Sequence, residues 1–353
     1  MNPPALLMAL CRRWYTSPPV SVAPLATQGF SGSQVFAVEL PSTPGRFVLK
    51  SFHAGATVDH ARFVHGLVRH LRAEGVAEVP EVIPAVDGDT VVRDAEGQLW
   101  ELSRFASGVP VPCPTPAQAA AAATALARLH LAAAGLPGHP SRPGIPPGVE
   151  RRIDRARRLL TQPWPVRRAA WSQGGRPLLA DATAAAVDDR VATAIAIVDA
   201  CGAERLLARV AALRPDPCVL QPVLRDVWCD HVLFAERRRD AVTAIVDLHA
   251  AGIDTPATDL ARLAGSWAAP AGGERLSLGE RWPEAFAAYC AVRPLSAVES
   301  ALVPMLHATG ILFGLDNWFR WTMEDQREFS DPQRMLARID SLLEELPAAL
   351  AAA

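Results

Sequence analysis

The feature that most limits the fold is an asymmetry along the chain. Strand-like runs lie mostly before a Pro-rich connector, Ala106-Ser-Gly-Val-Pro-Val-Pro-Cys-Pro-Thr-Pro116, and helix-like runs lie mostly after it. Before the connector, residues 20–26, 35–40 and 46–52 are β-branched or aromatic in part and are separated by Gly and Pro, as in an antiparallel meander. Residues 57–74 carry Phe63, Leu67 and Leu71 at helical spacing, and two further strands are expected near 90–93 and 99–105. After the connector, helices are expected at 116–134, 150–160, 182–213, 257–267, 281–291, 296–315 and 332–351. One hairpin interrupts them, with strands at 231–235 and 241–247. The class is α+β, with a small antiparallel-sheet lobe over 1–106 and a larger, mainly helical lobe over 107–353.

A chain of 353 residues can bury a large core, and its formal net charge of -2 argues against a nucleic-acid binder. No positive charge precedes the first apolar stretch, so no signal peptide is expected. Residues 117–135 are Ala-rich but broken by Arg128 and His130, which reads as a buried helix rather than a membrane span. The six cysteines are scattered with no CxxC pair, so reduced, buried thiols in a cytoplasmic protein are expected.

Three segments carry chemistry. Gln28-Gly-Phe-Ser-Gly-Ser-Gln34 joins two strands; Gly29 and Gly32 would let backbone N–H groups approach phosphate oxygens, and Ser31 and Ser33 could add donors. Phe47-Val-Leu-Lys50-Ser-Phe52 places the chain's single lysine, among 35 Lys plus Arg, at the centre of an apolar strand. An unpaired ammonium there is costly, and a nucleotide phosphate is a natural partner for a compact point charge. The third runs from Leu224-Arg-Asp226 through Asp230-His231 and a hairpin to Val246-Asp247. An Asp on a loop before a hairpin can take a proton from an acceptor hydroxyl; a second Asp ending the hairpin can hold the metal that bridges ATP phosphates.

These segments, in this order, resemble the aminoglycoside phosphotransferase and choline kinase superfamily. Its catalytic loop, H-G-D-x-x-x-x-N, places its Asp on Asp226, and its metal-binding Asp falls on Asp247. Asp254-Thr-Pro-Ala-Thr-Asp259-Leu-Ala resembles the family's D-P-x-x-D-L-A stretch, and Leu126-Ala-Arg-Leu-His130 its L-A-x-L-H helix end. The resemblance implies a bilobal protein-kinase-like fold, with ATP and Mg²⁺ (or Mn²⁺) as cofactors and a small-molecule hydroxyl as acceptor. The Gly29–Ser33 loop and Lys50 would hold phosphates, and backbone near Arg104 and Ala106 would meet adenine.

Three departures stand out. Leu224 and Arg225 replace the His and Gly of the loop. His231 stands where the family has a metal-binding Asn. Magnesium prefers oxygen donors, so His231 is read either as a metal ligand or as structural, with Asp230 the alternative donor. The helix after Lys50 has no Glu before Glu74 to pair with it, leaving Asp59 or His65 as candidates. A module that binds nucleotide or a partner without turnover is the alternative reading. On the acceptor side, Trp228, Trp267, Trp282, Trp318 and Trp321 read as core rather than as an aromatic cage. The arginines of 151–158 and the mixed charges of 316–334 read as solvated helix faces.

Overall fold

The computed structural model describes residues 3–15, 19–25, 32–40, 45–173, 181–238, 240–268, 276–325, 327, 329 and 331–353. The chain forms two compact units: Met1–Pro140 with Pro222–Gly252, and Ser141–Gln221 with Ile253–Ala353.

The first unit opens with helix α1 (Pro3–Cys11) and strands β1 (Ser21–Pro24), β2 (Val35–Glu39), β3 (Arg46–Ser51), β4 (Val92–Arg93) and β5 (Leu99–Arg104). The strands form one antiparallel sheet in the order β1-β2-β3-β5-β4. Burial along β3 alternates, as the two-residue period of a strand requires. Phe47 and Leu49 join Leu7, Leu10, Trp14, Val38, Trp100 and Leu102 in a core on one face. Lys50 points to the other face, opposite Val35 on β2 and Glu101 on β5.

Helix α2 (Val58–Ala73) begins at Thr57, whose side chain accepts from the His60 N–H, and buries Ala61, Val64, His65, Leu67, Val68 and Leu71. The four- and three-residue spacings of Ala61, His65 and Val68 put an imidazole on an otherwise apolar stripe. Helix α3 (Pro116–Ala133) starts with a capping box between Thr115 and Gln118, and its small alanines let it pack closely on α2. Strand β6 (Val109–Pro110) pairs with β9 (Val232–Phe234), which forms the expected hairpin with β10 (Val242–Ile245).

The second unit is mainly helical. Strands β7 (Arg142–Gly144) and β8 (Cys218–Val223) pair, and β8 leads the chain back toward the first unit. The helices are α4 (Pro147–Thr161), α5 (Trp164–Gln173), α6 (Asp181–Cys201), α7 (Ala203–Ala212), α8 (Ala257–Ala264), α9 (Leu278–Arg281), α10 (Pro283–Val292), α11 (Ala297–Phe319) and α12 (Pro332–Ala351). The helix expected over 182–213 divides at Gly202, whose φ of +63° turns the backbone left-handed. Residues 297–324 are long and apolar enough to cross a membrane, but 61% of the apolar window is buried in the protein, against α8 and α12.

Several expectations are corrected here. Cys11, Cys218 and Cys229 are buried, but Cys113 and Cys201 are exposed. The charges of α4 and α11 are not all solvated. Asp316 accepts from Trp164 Nε1, Arg155 and Arg167, and its side chain is only 13% exposed. Arg152 donates to Thr309 Oγ1 and Gly148 O; burial among Arg262, Arg151 and Arg155 pushes its pKa down to about 10, despite Asp254. Trp267, Trp282 and Trp318 are core residues, the first two meeting edge to face at 5.1 Å.

Candidate active site

Lys50, Asp226, His231 and Asp247 all belong to the first unit. The hairpin works as the sequence suggests. Val246 N–H donates to the His231 carbonyl at 2.8 Å, which returns the chain to the loop it left. Lys50 Nζ then reaches Asp247 Oδ1 at 2.6 Å. The Lys50 side chain is 12% exposed and that of Asp247 38%, so the pair has a protein side and an open side. Crowding by protein raises the pKa of the Asp247 carboxyl, but Lys50, then His231 and His249, outweigh it and hold the carboxyl below its ordinary 3.8.

His231 links the two aspartates. Its Nδ1 lies 2.9 Å from the Asp226 carbonyl oxygen. A carbonyl only accepts, so Nδ1 carries a proton, and Nε2 is the ring atom left to face Asp247. That Nε2 lies 3.8 Å from Asp247 Oδ2. When Nε2 is unprotonated, the two atoms face each other across a gap that one cation could bridge. Anchoring the far ring nitrogen on a carbonyl is the usual orientation for a metal-ligating imidazole. Among the described residues no group of three or more His, Cys, Asp or Glu side chains forms a complete metal cage. A carboxylate and an imidazole could share a divalent ion that completes its shell from phosphates and water, and the nitrogen suits Mn²⁺ better than Mg²⁺. Asp230 is exposed and its Oδ1 meets the Cys229 thiol at 3.7 Å rather than joining this pair.

Asp226 is half-buried, and Trp228 Nε1–H donates to its Oδ1 at 2.6 Å, which fixes the plane of the carboxylate. The residue before it bears the strain of the loop. Among the described residues only Arg225 and Asp247 combine a side chain beyond glycine with positive φ, +62° and +61°. Left-handed backbone costs about 1–2 kcal/mol for such residues and collects at functional sites. Arg225 offsets it by donating through Nε to Ala250 O at 2.7 Å and through Nη2 to Ala251 O at 3.2 Å. The loop of Asp226 is thereby tied to the segment that follows Asp247.

Of the phosphate-loop residues, Gly32 has a φ of +78° and Ser33 is buried; Gly29 and Ser31 lie outside the described residues. Gln34 and Ser51 close the strand pair behind the loop, with Gln34 N–H on Ser51 Oγ at 2.8 Å. Arg104 ends β5, paired with Glu81 at 2.8 Å, and Ala106 follows it, half-buried.

The sequence reading missed a buried cluster beside Lys50. Glu101 has His65 Nε2 at 2.7 Å from Oε2, and His249 Nε2 lies 2.9 Å from Oε1, off the hydrogen-bonding direction. His65 thus turns to Glu101, while Lys50 takes Asp247 as its partner. Burial raises the pKa of the Glu101 carboxyl, but His249 and then His65 hold it well below its ordinary 4.5. The signal was available, since Glu101 interrupts an apolar strand just as Lys50 does.

Residues 23–295 of this geometry's chain match the phosphotransferase enzyme family. A homoserine kinase of Xanthobacter autotrophicus is 28% identical over 266 residues, 75% of this chain and 70% of that protein. Among solved structures, an amicoumacin kinase in complex with AMP-PNP, Ca²⁺ and Ami superposes with a TM-score of 0.64 at 13% identity, covering 98% of this chain and 94% of that one. A spectinomycin phosphotransferase with ADP and spectinomycin gives 0.58 at 12% identity, covering 98% of each chain. A microcompartment-associated aminopropanol kinase gives 0.56 at 16% identity, covering 96% of this chain and 95% of that one. Likenesses at such identities establish the fold, which is the expected α+β, protein-kinase-like one.

Proposed function

The chain belongs to the phosphotransferase enzyme family, and from that premise we propose that it moves the γ-phosphoryl group of ATP onto the hydroxyl of a small amino alcohol. The observation that carries this reading is the meeting of Lys50, Asp247 and His231 on the loop that presents Asp226. The names of two relatives, a homoserine kinase and an aminopropanol kinase, support the acceptor class.

Phosphoryl transfer needs positioning and charge neutralisation more than covalent chemistry from the protein. Lys50 is the cation for the phosphates, and Gly32 and Ser33 belong to the loop that lies against them. Asp247 and His231 would hold a divalent cation, Mg²⁺ or Mn²⁺, which neutralises charge on the phosphate oxygens when bound. Asp226, its plane set by Trp228, orients the acceptor hydroxyl and receives its proton. The acceptor oxygen bonds to the γ-phosphorus as the bond from that phosphorus to the bridging oxygen breaks. The bridging oxygen keeps the electron pair, and ADP departs.

The test is ADP release with homoserine and aminopropanol as first acceptors, in wild type and Asp226→Asn. The variant should keep ATP binding and lose turnover by ~10²–10⁴-fold. Equal turnover would remove Asp226 from this role. Saturable, metal-dependent ATP binding without turnover on any acceptor would favour the nucleotide-binding module instead.

A further inference from the structure

We propose that Glu101, His65, His60 and His249 form a positioning device for Asp247, a role that rests on the phosphotransfer reading above. None of these side chains touches the reacting groups in that reading; each acts through the turn that carries Asp247.

Asp247 sits at a φ of +61°, and the chain tightens at once into a helical turn over Leu248–Ala250. Such a backbone persists only when its surroundings fix it. Arg225 holds the far end of this turn, as described. Helix α2 holds its middle, in two ways. His60 lies with Nε2 2.7 Å from the His249 carbonyl, so Nε2 is the donor. Five residues later, His65 donates to Glu101 Oε2, and the other oxygen of the same carboxylate lies beside the His249 ring. Phe52, just past the end of β3, stacks on that ring at 4.0 Å and 8°. The carboxylate places a proton on His65 Nε2, and Thr90 Oγ1, which can donate or accept, lies 2.8 Å from Nδ1.

The register explains why this matters for Asp247 in particular. Glu101 lies directly opposite Lys50 across β3 and β5. One strand pair therefore places both the cation that bonds Asp247 and the anion that lies beside the ring two positions on. In the kinase pattern an acid on the first helix organises the strand lysine. Here the acid stands on the neighbouring strand, the helix supplies imidazoles, and the object held is the Asp247 turn. A buried carboxylate between two imidazoles is an expensive way to fill a core that apolar side chains could fill. What it gives is a fixed direction for the turn, and groups behind a metal ligand commonly set metal affinity.

The experiment titrates Mn²⁺ into the full-length protein with AMP-PNP, reading free ion by electron spin resonance, beside AMP-PNP binding without metal. Glu101→Gln should weaken Mn²⁺ by ~10–100-fold, the usual effect of losing such a support. Metal-free nucleotide binding should stay as in wild type. His60→Ala, on the half-exposed first turn of α2, should weaken Mn²⁺ in the same sense, and His60→Gln, which keeps a donor, should recover most of the loss. This pair decides the matter if Glu101→Gln does not fold. Unchanged Mn²⁺ affinity in the variants, or an equal loss of metal-free nucleotide binding, overturns the device and leaves the phosphotransfer reading standing. A wild type that takes up no Mn²⁺ with AMP-PNP overturns both.

Discussion

A Cβ added at Gly252 would stand 2.4 Å from Arg225 Cζ, 2.6 Å from Nη2 and 2.8 Å from Nε. Gly252→Ala must therefore displace the guanidinium and break its bonds to the Ala250 and Ala251 carbonyls. Bonds to a charged group contribute about 1.5–3 kcal/mol each, and partial exposure favours the lower end, so the pair supplies about 3–4 kcal/mol. Replacing glycine returns about 0.4–1 kcal/mol by stiffening the unfolded chain, which leaves a net loss of about 2–4 kcal/mol. In an Arg225→Gly background there is no guanidinium to displace, and the same Gly252→Ala change should become neutral or slightly stabilising. Arg225→Gly should also be more stable than Arg225→Ala, against the usual order, because alanine keeps the left-handed strain of about 1–2 kcal/mol. Urea unfolding of the four combinations, followed by tryptophan fluorescence, gives the coupling directly. Equal cost of Gly252→Ala in both backgrounds would refute the argument that Arg225 secures this loop.

Two further outcomes are expected. Lys50→Arg should be almost as damaging as Lys50→Ala, with kcat/KM down ~10–100-fold, since a planar fork cannot replace a compact ammonium and a charged hydrogen bond is at stake; near-normal kcat/KM would show that only charge matters at this position. In the second unit, burial raises the pKa of the Glu345 carboxyl, but His307 and Arg281 hold it below its ordinary 4.5. A depressed folded value means that its contribution is complete above the unfolded value and is lost as pH falls through the folded one. Melting temperature should thus fall below about pH 4.5 in wild type. Glu345→Gln should flatten that fall and lower stability near neutrality, because Arg281, with its side chain 1% exposed, loses its counter-charge; an unaltered acid profile in the variant would refute this.

Local patterns were legible in the sequence, and distant pairings were not. The strand around Lys50 and the hairpin between Asp226 and Asp247 announce themselves through alternation and turn residues, so those residues could be named. The partner of Lys50 could not, because it depends on how a hairpin 197 residues away meets the sheet. Glu101 and His65 are 36 residues apart and meet only once α2 is laid against the strand that carries Glu101. Charged helix residues were misread for the same reason: Arg155 and Asp316 look like surface groups until α4 and α11 pair them across 161 positions. Strand β8 escaped because Gln221 and Pro222 interrupt its apolar run, and α5 because Pro163 and Pro165 flank Trp164.

The departures from the family pattern fit together once their contacts are compared. Arg225, in place of a glycine, accepts the left-handed backbone and offsets the strain with two bonds that secure the Asp247 turn. His231, in place of an asparagine, keeps a donor atom toward Asp247 because its other nitrogen is fixed on the Asp226 carbonyl. The helix carries Asp59 but no Glu, and Glu101 on β5 is the carboxylate bonded by that helix, through His65. Each replacement takes a role in holding one of the two aspartates. Turnover in Asp226→Asn, measured beside nucleotide binding, separates an active phosphotransferase from a module that binds nucleotide alone.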